Sequence, residues 1–234
     1  MFIPLRDDNS LKSIPFQYVT VSLIALNIIV FLLELGVGDQ SVVASFGVTP
    51  SILLGTGGLV TPDSVLTEGI NIAASPTLIT YMFLHADVFH LAGNMLFLWV
   101  FGDNVEDAMG HVRFLVFYLA CGVFAGLMHS WMVPDSTLPL IGASGAVAGV
   151  IAAYLMLHPR VNVWVLAFKV LPLRISAGLA LGIWILLQVV MIALADVGPT
   201  AWWAHIGGLI AGAVLILFMR RPGVRLFDRD LSLA

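Results

Sequence analysis

Four polar side chains that could take part in catalysis stand within segments of this sequence that are otherwise apolar. Ser144 lies in the stretch IGASGAVAG, which holds three glycines and no charge. His90 and Asn94 are four residues apart in HADVFHLAGN, so a helix would place them on one face. His205 follows two tryptophans in WWAHIGG. A hydroxyl, an imidazole and nearby hydrogen-bond donors are the groups that nucleophilic catalysis by serine requires.

The composition indicates that most of the protein surface does not face water. Of 234 residues, 60% are hydrophobic and only 10% are charged, and the mean hydropathy is +1.02. Soluble domains carry about 25% charged residues. Cys121 is the single cysteine, so the fold contains no internal disulfide.

Apolar runs of membrane-spanning length recur along the chain. A helix needs about 20 apolar residues to cross the hydrocarbon core of a bilayer. The sequence predicts six such spans, at about 16–35, 88–105, 114–133, 144–157, 175–195 and 202–219. The second and fourth are short or polar for helices that face lipid, so we expect them inside the bundle.

The basic residues predict the orientation of these spans. All ten Lys and Arg residues fall on one side, which the positive-inside rule assigns to the cytoplasm. We therefore expect an all-α integral membrane protein with both termini cytoplasmic. Residues 1–15 would form a short N-terminus, 16–221 the six-helix domain and 222–234 a C-terminal tail, with 36–87 as a long first extracytoplasmic loop.

The candidate catalytic side chains are predicted to lie at one depth. Ser144 comes 14 residues before His158, and His205 comes 15 residues before Arg220. At about 1.5 Å per residue, both lie roughly 21–22 Å from the cytoplasmic ends of their spans. The histidine and asparagine of the second span bracket this level. The site is thus expected below the extracytoplasmic surface and not at the midplane.

Small residues indicate that the fourth and sixth spans pack closely. Gly145 and Gly149 are four residues apart, as are Gly208 and Gly212, and such pairs let two helix backbones approach each other. This approach would bring the serine and the histidine within hydrogen-bond reach. No carboxylate lies at the same depth to orient the histidine, so we predict a Ser–His dyad and not a triad.

Each group has a role in that chemistry. His205 would act as the base that takes the hydroxyl proton of Ser144. The side-chain amide of Asn94, a ring N–H of His90 and the backbone N–H of the serine could stabilise a developing oxyanion. Taken singly, a serine or an asparagine in a membrane helix more often bridges helices than catalyses a reaction.

Three motifs together resemble the rhomboid family of intramembrane serine proteases. They are G-A-S-G at 142–145, H-x-x-x-N at 90–94 and A-H-x-x-G at 204–208. The resemblance extends over nearly the whole chain and implies the minimal six-helix bacterial form. It implies Ser144 as the nucleophile and His205 as the general base. It also implies His90 and Asn94 as oxyanion stabilisers.

The resemblance further implies an activity and a location. A multi-pass protease of the cell (inner) membrane would cleave transmembrane segments of other membrane proteins near the extracytoplasmic face, at helix-destabilised sites. It implies no cofactor, and the sequence favours no metal site and no nucleic-acid partner. Some rhomboids carry an aromatic residue four positions after the serine that stacks on the histidine. Here that position is Ala148, so another residue must support His205.

Two other functions are compatible with a polytopic membrane protein. A catalytically inactive rhomboid relative would bind membrane clients without cleaving them, but such relatives typically lack the serine or the histidine. A transporter would carry paired charges or broken helices with ion ligands at the midplane. The sequence shows no such pattern.

Overall fold

The computed structural model describes residues 2–37, 39–56, 74–167, 170–194 and 201–227. The helices are α1 (Tyr18–Val37), α2 (Asp39–Phe46), α3 (Pro50–Leu54), α4 (Ala74–Thr80), α5 (Val88–Met109), α6 (His111–Met132), α7 (Ser144–Leu157), α8 (Ala177–Ala193) and α9 (Trp202–Met219). A 3-10 turn, Tyr81–Phe83, follows α4. The strands are β1 (Phe2–Asp7), β2 (Asn162–Ala167) and β3 (Leu171–Ser176).

Helices lie at each of the six predicted spans, but they differ in length. In the described part of the chain, α1, α6 and α9 are long and apolar enough to cross a membrane. The α4 segment with its 3-10 turn and α5 form a fourth candidate, bent by 83°. Helices α7 and α8 are apolar but have only 14 and 17 residues. By length and composition, the described residues of this membrane protein contain three candidate spans, or four if the bent pair is one span.

Helix α7 forms the centre of the bundle. Eleven of its fourteen residues are buried, as expected for a short span rich in alanine and glycine. Helix α5 is also largely buried along its second half. Helices α1 and α8, in contrast, expose large apolar side chains such as Leu32 and Leu186. An apolar outer surface around a small-residue centre is the arrangement expected of a bundle surrounded by lipid.

Helices α7 and α9 are in backbone contact, as their glycines predict. A Cβ atom on Gly208 would lie 1.9 Å from the carbonyl oxygen of Gly145. A Cβ atom on Gly212 would lie 2.2 Å from the carbonyl oxygen of Gly149. No side chain fits at either position of α9. The missing side chains therefore determine the distance between the two helix axes.

The expected all-α class is wrong in one respect, because the chain also forms a small antiparallel sheet in the order β1-β2-β3. Strand β2 alternates, with Val163 and Val165 buried and Trp164 between them partly exposed. Strands β2 and β3 lie between α7 and α8 and pair antiparallel, from Asn162 with Ser176 to Ala167 with Leu171. The N-terminal residues add the third strand through pairs such as Ile3 with Leu166.

The predicted first loop, residues 36–87, contains short helices in its described parts, namely α2, α3 and α4. Residues 57–73 of this loop lie outside the described residues. Val48 and Leu140 exchange two backbone hydrogen bonds of 3.0 and 2.7 Å. These bonds connect the loop to the segment that leads into α7. The predicted tail, 222–234, is described only as far as residue 227.

Two carboxylates of α5 hold the N-terminal segment against the bundle. Glu106 is fully buried and accepts hydrogen bonds from the backbone N–H groups of Val19 and Thr20 at 3.0 and 2.8 Å. Asp107 accepts from the backbone N–H groups of Ser13 and Ile14 at 2.6 and 2.7 Å. Free N–H groups at a helix start need such acceptors when water is absent. The two residues therefore have a structural role.

Replacing Glu106 with Leu is expected to destabilise the protein. The substitution leaves N–H groups at the start of α1, including that of buried Thr20, without an acceptor, which costs about 1–3 kcal/mol. The measurement is the thermal unfolding midpoint in detergent. Val112→Ala, at a site that is 77% exposed, is the control and should change the midpoint little. Equal midpoints for the two variants would contradict the structural role of Glu106.

Candidate active site

Ser144 and His205 form a hydrogen-bonded pair between α7 and α9. The serine Oγ lies 2.9 Å from the imidazole Nε2. Ser144 is the first residue of α7 and is half-buried, while His205 lies in the first turn of α9 and is 8% exposed. Gly145, the residue after the serine, and Gly208, three residues after the histidine, form part of the α7–α9 contact. The backbone packing that the glycines allow is thus what brings the two side chains together.

The start of α7 is held by the segment that precedes the serine. Gly142 has a φ of +116°, a conformation that side chains rarely adopt, and its N–H donates to the carbonyl of Tyr81 at 2.9 Å. The hydroxyl of Tyr81 in turn donates to the carbonyl of Gly122 on α6. This turn places Ser144 at a helix N-terminus, where the first backbone N–H groups have no partner within the helix.

His90 and Asn94 lie beside this turn, on the face of α5 that the spacing predicted. A Cβ on Gly142 would be 2.7 Å from the ring of His90 and 3.9 Å from Nδ2 of Asn94. Asp87 caps α5 by accepting from the N–H of His90 at 2.9 Å. The capping residue lies three residues before His90 and fixes the start of the helix that carries the ring.

Asn94 carries a hydrogen-bond donor that is not used. Its side chain is 7% exposed, and among the described residues none accepts a hydrogen bond from Nδ2. A buried polar group without a partner is rare in proteins and costs about 1–3 kcal/mol. The donor lies close to the turn at Gly142, two residues before the serine. It is available to an acceptor that approaches this turn.

Three residues that the sequence did not single out support the imidazole of His205. The indole of Trp184 on α8 lies 6.0 Å from it between ring centroids, and that of Trp202 on α9 lies edge-on at 5.8 Å. Gln188 on α8 places its Oε1 2.7 Å from the ring Nδ1. These contacts take the place of the aromatic side chain that some rhomboids carry at the position of Ala148. Ala148 is itself fully buried, and its Cβ would lie 3.2 Å from a Cβ on Gly208.

No sequence motif marked Gln188 and Trp184. They lie 17 and 21 residues before His205, on a different helix, so their contact with the histidine follows from tertiary packing alone. One signal was present in the sequence. Gln188 is the only residue with a purely polar side chain in the apolar run of α8, and intramembrane polar residues are usually placed for function or helix contacts.

The arrangement fits nucleophilic catalysis better than metal chemistry. A hydroxyl contacts an imidazole, the imidazole is oriented from behind, and donors lie near the place where an oxyanion would form. In the described part of the chain, no group of three or more His, Cys, Asp or Glu residues could hold a metal ion.

The comparison with protein families agrees with the fold and with the motifs. Residues 75–222, more than half of the chain, match the Rhomboid domain family. The matched range includes α5, α7 and α9, the three helices that carry the residues described above. The chain belongs to the rhomboid family.

Several relatives share this similarity over part of their length. The chain is 29% identical over 166 residues to the chloroplastic Rhomboid-like protein 11 of Arabidopsis thaliana, covering 66% of this chain and 56% of that protein. It is 34% identical over 148 residues to the mitochondrial RHOMBOID-like protein 6 of the same plant, covering 61% and 44%. It is 32% identical over 151 residues to the human mitochondrial Presenilin-associated rhomboid-like protein, covering 60% and 37%. The matches thus span about half of these relatives or less.

Adding a methyl group at Gly208 is expected to separate α7 from α9. The new Cβ would overlap the carbonyl oxygen of Gly145, and overpacking of this kind costs about 1–3 kcal/mol. Gly208→Ala should therefore lower the thermal unfolding midpoint. The matched control is Gly182→Ala on α8, where a Cβ has no atom within 4 Å. A lower midpoint for the control, or no change for Gly208→Ala, would contradict the described helix contact.

Proposed function

We propose that this rhomboid protein is an intramembrane serine endopeptidase that hydrolyses peptide bonds in the transmembrane segments of other membrane proteins. The observation that carries the proposal is the 2.9 Å contact between Ser144 Oγ and His205 Nε2. A hydroxyl is a weak nucleophile until a base takes its proton, and this contact supplies the base. The membership of the chain in the rhomboid family supports the same reaction.

The reaction would proceed through an acyl-enzyme. Oγ of Ser144 attacks the carbonyl carbon of the scissile bond while its proton passes to Nε2 of His205. The tetrahedral intermediate then breaks the C–N bond, and the imidazolium gives the proton to the leaving nitrogen. A water molecule, deprotonated by the same imidazole, attacks the ester. Its hydrolysis releases the carboxylate and returns the serine hydroxyl.

The oxyanion of the tetrahedral intermediate would be stabilised by donors around the start of α7. The backbone N–H groups of the first turn, Nδ2 of Asn94 and a ring N–H of His90 are the proposed donors. The buried and unpartnered state of Nδ2 supports this role, because the amide gains its missing acceptor when the negative charge forms. Its interaction is stronger in the transition state than in the ground state, which is the condition for catalysis.

We further propose that all six predicted spans lie within the bilayer, with both termini cytoplasmic. The distribution of all ten basic residues on one side of the predicted spans supports this orientation. The short helices α7 and α8 would then begin or end below the surface, and Ser144 would open towards the extracytoplasmic face of the cell (inner) membrane. Water must reach that level, because hydrolysis consumes it.

The proposed substrates are membrane proteins with a helix-destabilised transmembrane segment. In an intact α-helix each carbonyl accepts a hydrogen bond from the residue four positions ahead. The surrounding turns also shield its carbon atom from attack. Gly and other helix-weakening residues reduce the cost of unwinding a short stretch. The required partner is therefore a segment that can leave the helical state near the serine.

Both members of the dyad should be needed for cleavage. We expect the purified protein in phosphatidylcholine liposomes to cut a reporter substrate, a single-span fusion protein with Gly and Ala in the outer half of its span. Ser144→Ala and His205→Ala should each lower kcat by at least about 10³-fold, since the members of such a unit act together. Product formation is followed on gels, and the cut site is located by mass spectrometry.

Two outcomes would contradict the proposed function. One is cleavage that persists in both variants, which would assign it to a contaminating protease. The other is a folded wild type that binds the reporter substrate without cutting it. That result would favour the alternative of a rhomboid-like protein that binds membrane clients.

Removing the amide of Asn94 should weaken transition-state binding in particular. Asn94→Ala is expected to lower kcat by about 10²–10³-fold, the usual effect of losing one oxyanion donor. KM should change little, because Nδ2 has no partner in the ground state. Trp99→Phe, at an exposed position of α5, serves as the control and should retain wild-type kcat. An unchanged kcat in Asn94→Ala would exclude the amide from the oxyanion site.

A further inference from the structure

Gln188 is placed unlike any other residue of its helix. Between Leu181 and the end of α8 it is the only buried side chain, at 4% exposed. Its neighbours Leu187 and Val189 are 41% and 52% exposed on the apolar surface. Burying an amide without partners in such surroundings is costly. The two polar atoms of Gln188 both have partners.

The hydrogen bonds of Gln188 determine which way its amide points. Nε2 donates to the carbonyl oxygen of Trp184, one turn earlier on α8, at 3.2 Å. A carbonyl oxygen accepts hydrogen bonds and cannot donate them, so the amide atom beside it must be the NH₂ group. The other atom, Oε1, then faces Nδ1 of His205 at 2.7 Å.

The orientation of the amide in turn determines the tautomer of His205. Oε1 of a glutamine is an acceptor only, so the imidazole atom that faces it, Nδ1, must carry a proton. In a neutral imidazole the proton is then absent from Nε2. The lone pair of Nε2 points to Ser144 Oγ, at 2.9 Å. Every donor in this chain of contacts meets an acceptor.

We propose that Gln188 is a positioning residue that holds the imidazole of His205 in the Nδ1–H tautomer, with the lone pair of Nε2 directed at the hydroxyl of Ser144. The proposal rests on the proposed function and assigns it a third member on α8. Gln188 does not touch the reacting atoms and acts through His205. The predicted dyad is therefore extended by a neutral amide.

A neutral amide suits this position better than a carboxylate. An ionised carboxylate in a membrane-embedded bundle carries a desolvation cost of several kcal/mol. Gln188 supplies the acceptor without that charge. Its Oε1 can keep the hydrogen bond from Nδ1 when Nε2 has taken the serine proton. The positive charge that then forms on the imidazole is stabilised by the dipole of the amide and not by a full negative charge. Gln188 therefore contributes mainly by fixing the position and the tautomer of the ring.

Trp184 also helps to position the imidazole of His205. Its carbonyl orients the amide, and its indole lies beside the ring of His205. Trp184 and Gln188 are one turn apart, so a single face of α8 contacts the histidine from behind.

The variant that tests the proposal is Gln188→Leu, which keeps the approximate volume and removes the acceptor. We expect kcat for the reporter substrate to fall by at least about 10²-fold, the cost of misplacing a reacting group by about an ångström. The upper limit is about 10⁴-fold, the effect of the wrong tautomer in a serine protease. KM should stay near the wild-type value, since no substrate contact is lost.

A rescue variant and a control separate positioning from packing. Gln188→Glu, as the neutral carboxylic acid, can donate its O–H to the carbonyl of Trp184 and accept from Nδ1 of His205, so it should restore most of the lost kcat. Leu187→Ala removes more side chain from the adjacent, exposed position and should leave kcat unchanged. Equal kcat in the wild type and in Gln188→Leu would overturn the proposal. So would a loss in Gln188→Leu that Gln188→Glu, with a wild-type unfolding midpoint, does not restore.

Nitrogen-15 NMR of histidine-labelled protein provides a readout that needs no activity. The His205 signals are identified by their loss in His205→Ala. In the wild type at a pH where the ring is neutral, we expect Nδ1 protonated and Nε2 unprotonated, and in Gln188→Leu a mixture of tautomers. The opposite tautomer in the wild type would overturn the proposal. If the expected tautomer is found but the reporter substrate is not cut, the proposed function fails and the role of Gln188 stands.

Discussion

The backbone contact between α7 and α9 is the constraint on which the site depends. It exists only because Gly208 and Gly212 lack side chains where the carbonyl groups of Gly145 and Gly149 approach. In a membrane, where lipid tails are as apolar as the helices, close packing of this kind is a main source of helix association. The glycines therefore stabilise the bundle and place a serine and a histidine side by side.

Polar groups occur at two levels of the bundle and serve different purposes. Near the sheet, Glu106 and Asp107 accept backbone N–H groups of the N-terminal segment. At the level of Ser144, hydrogen bonds run from the carbonyl of Trp184 through Gln188 and the imidazole to the serine hydroxyl. The first set is fully engaged in holding the fold. The second set ends at the hydroxyl of Ser144 and lies near the unpartnered amide of Asn94. Such an unused donor is expected where a reaction partner binds.

The sequence predicts the parts of the site that follow helix periodicity. Ser144 opens α7 and Trp202 opens α9, as their apolar runs and glycines indicated, and both helices end where predicted. The sheet was missed because β1 pairs with a strand about 160 residues later, and six-residue strands give little pattern of their own. Gln188 was missed for a similar reason, because its contact with His205 crosses from one helix to another.

The most direct test of the proposed activity is whether Ser144 is an activated nucleophile. Purified protein, in detergent and in bilayers, is treated with a fluorophosphonate, and the modified peptide is identified by mass spectrometry. We expect a single adduct on Ser144 that is absent in folded His205→Ala. A folded wild type that stays unmodified in both environments, or an adduct on a different serine, would contradict it.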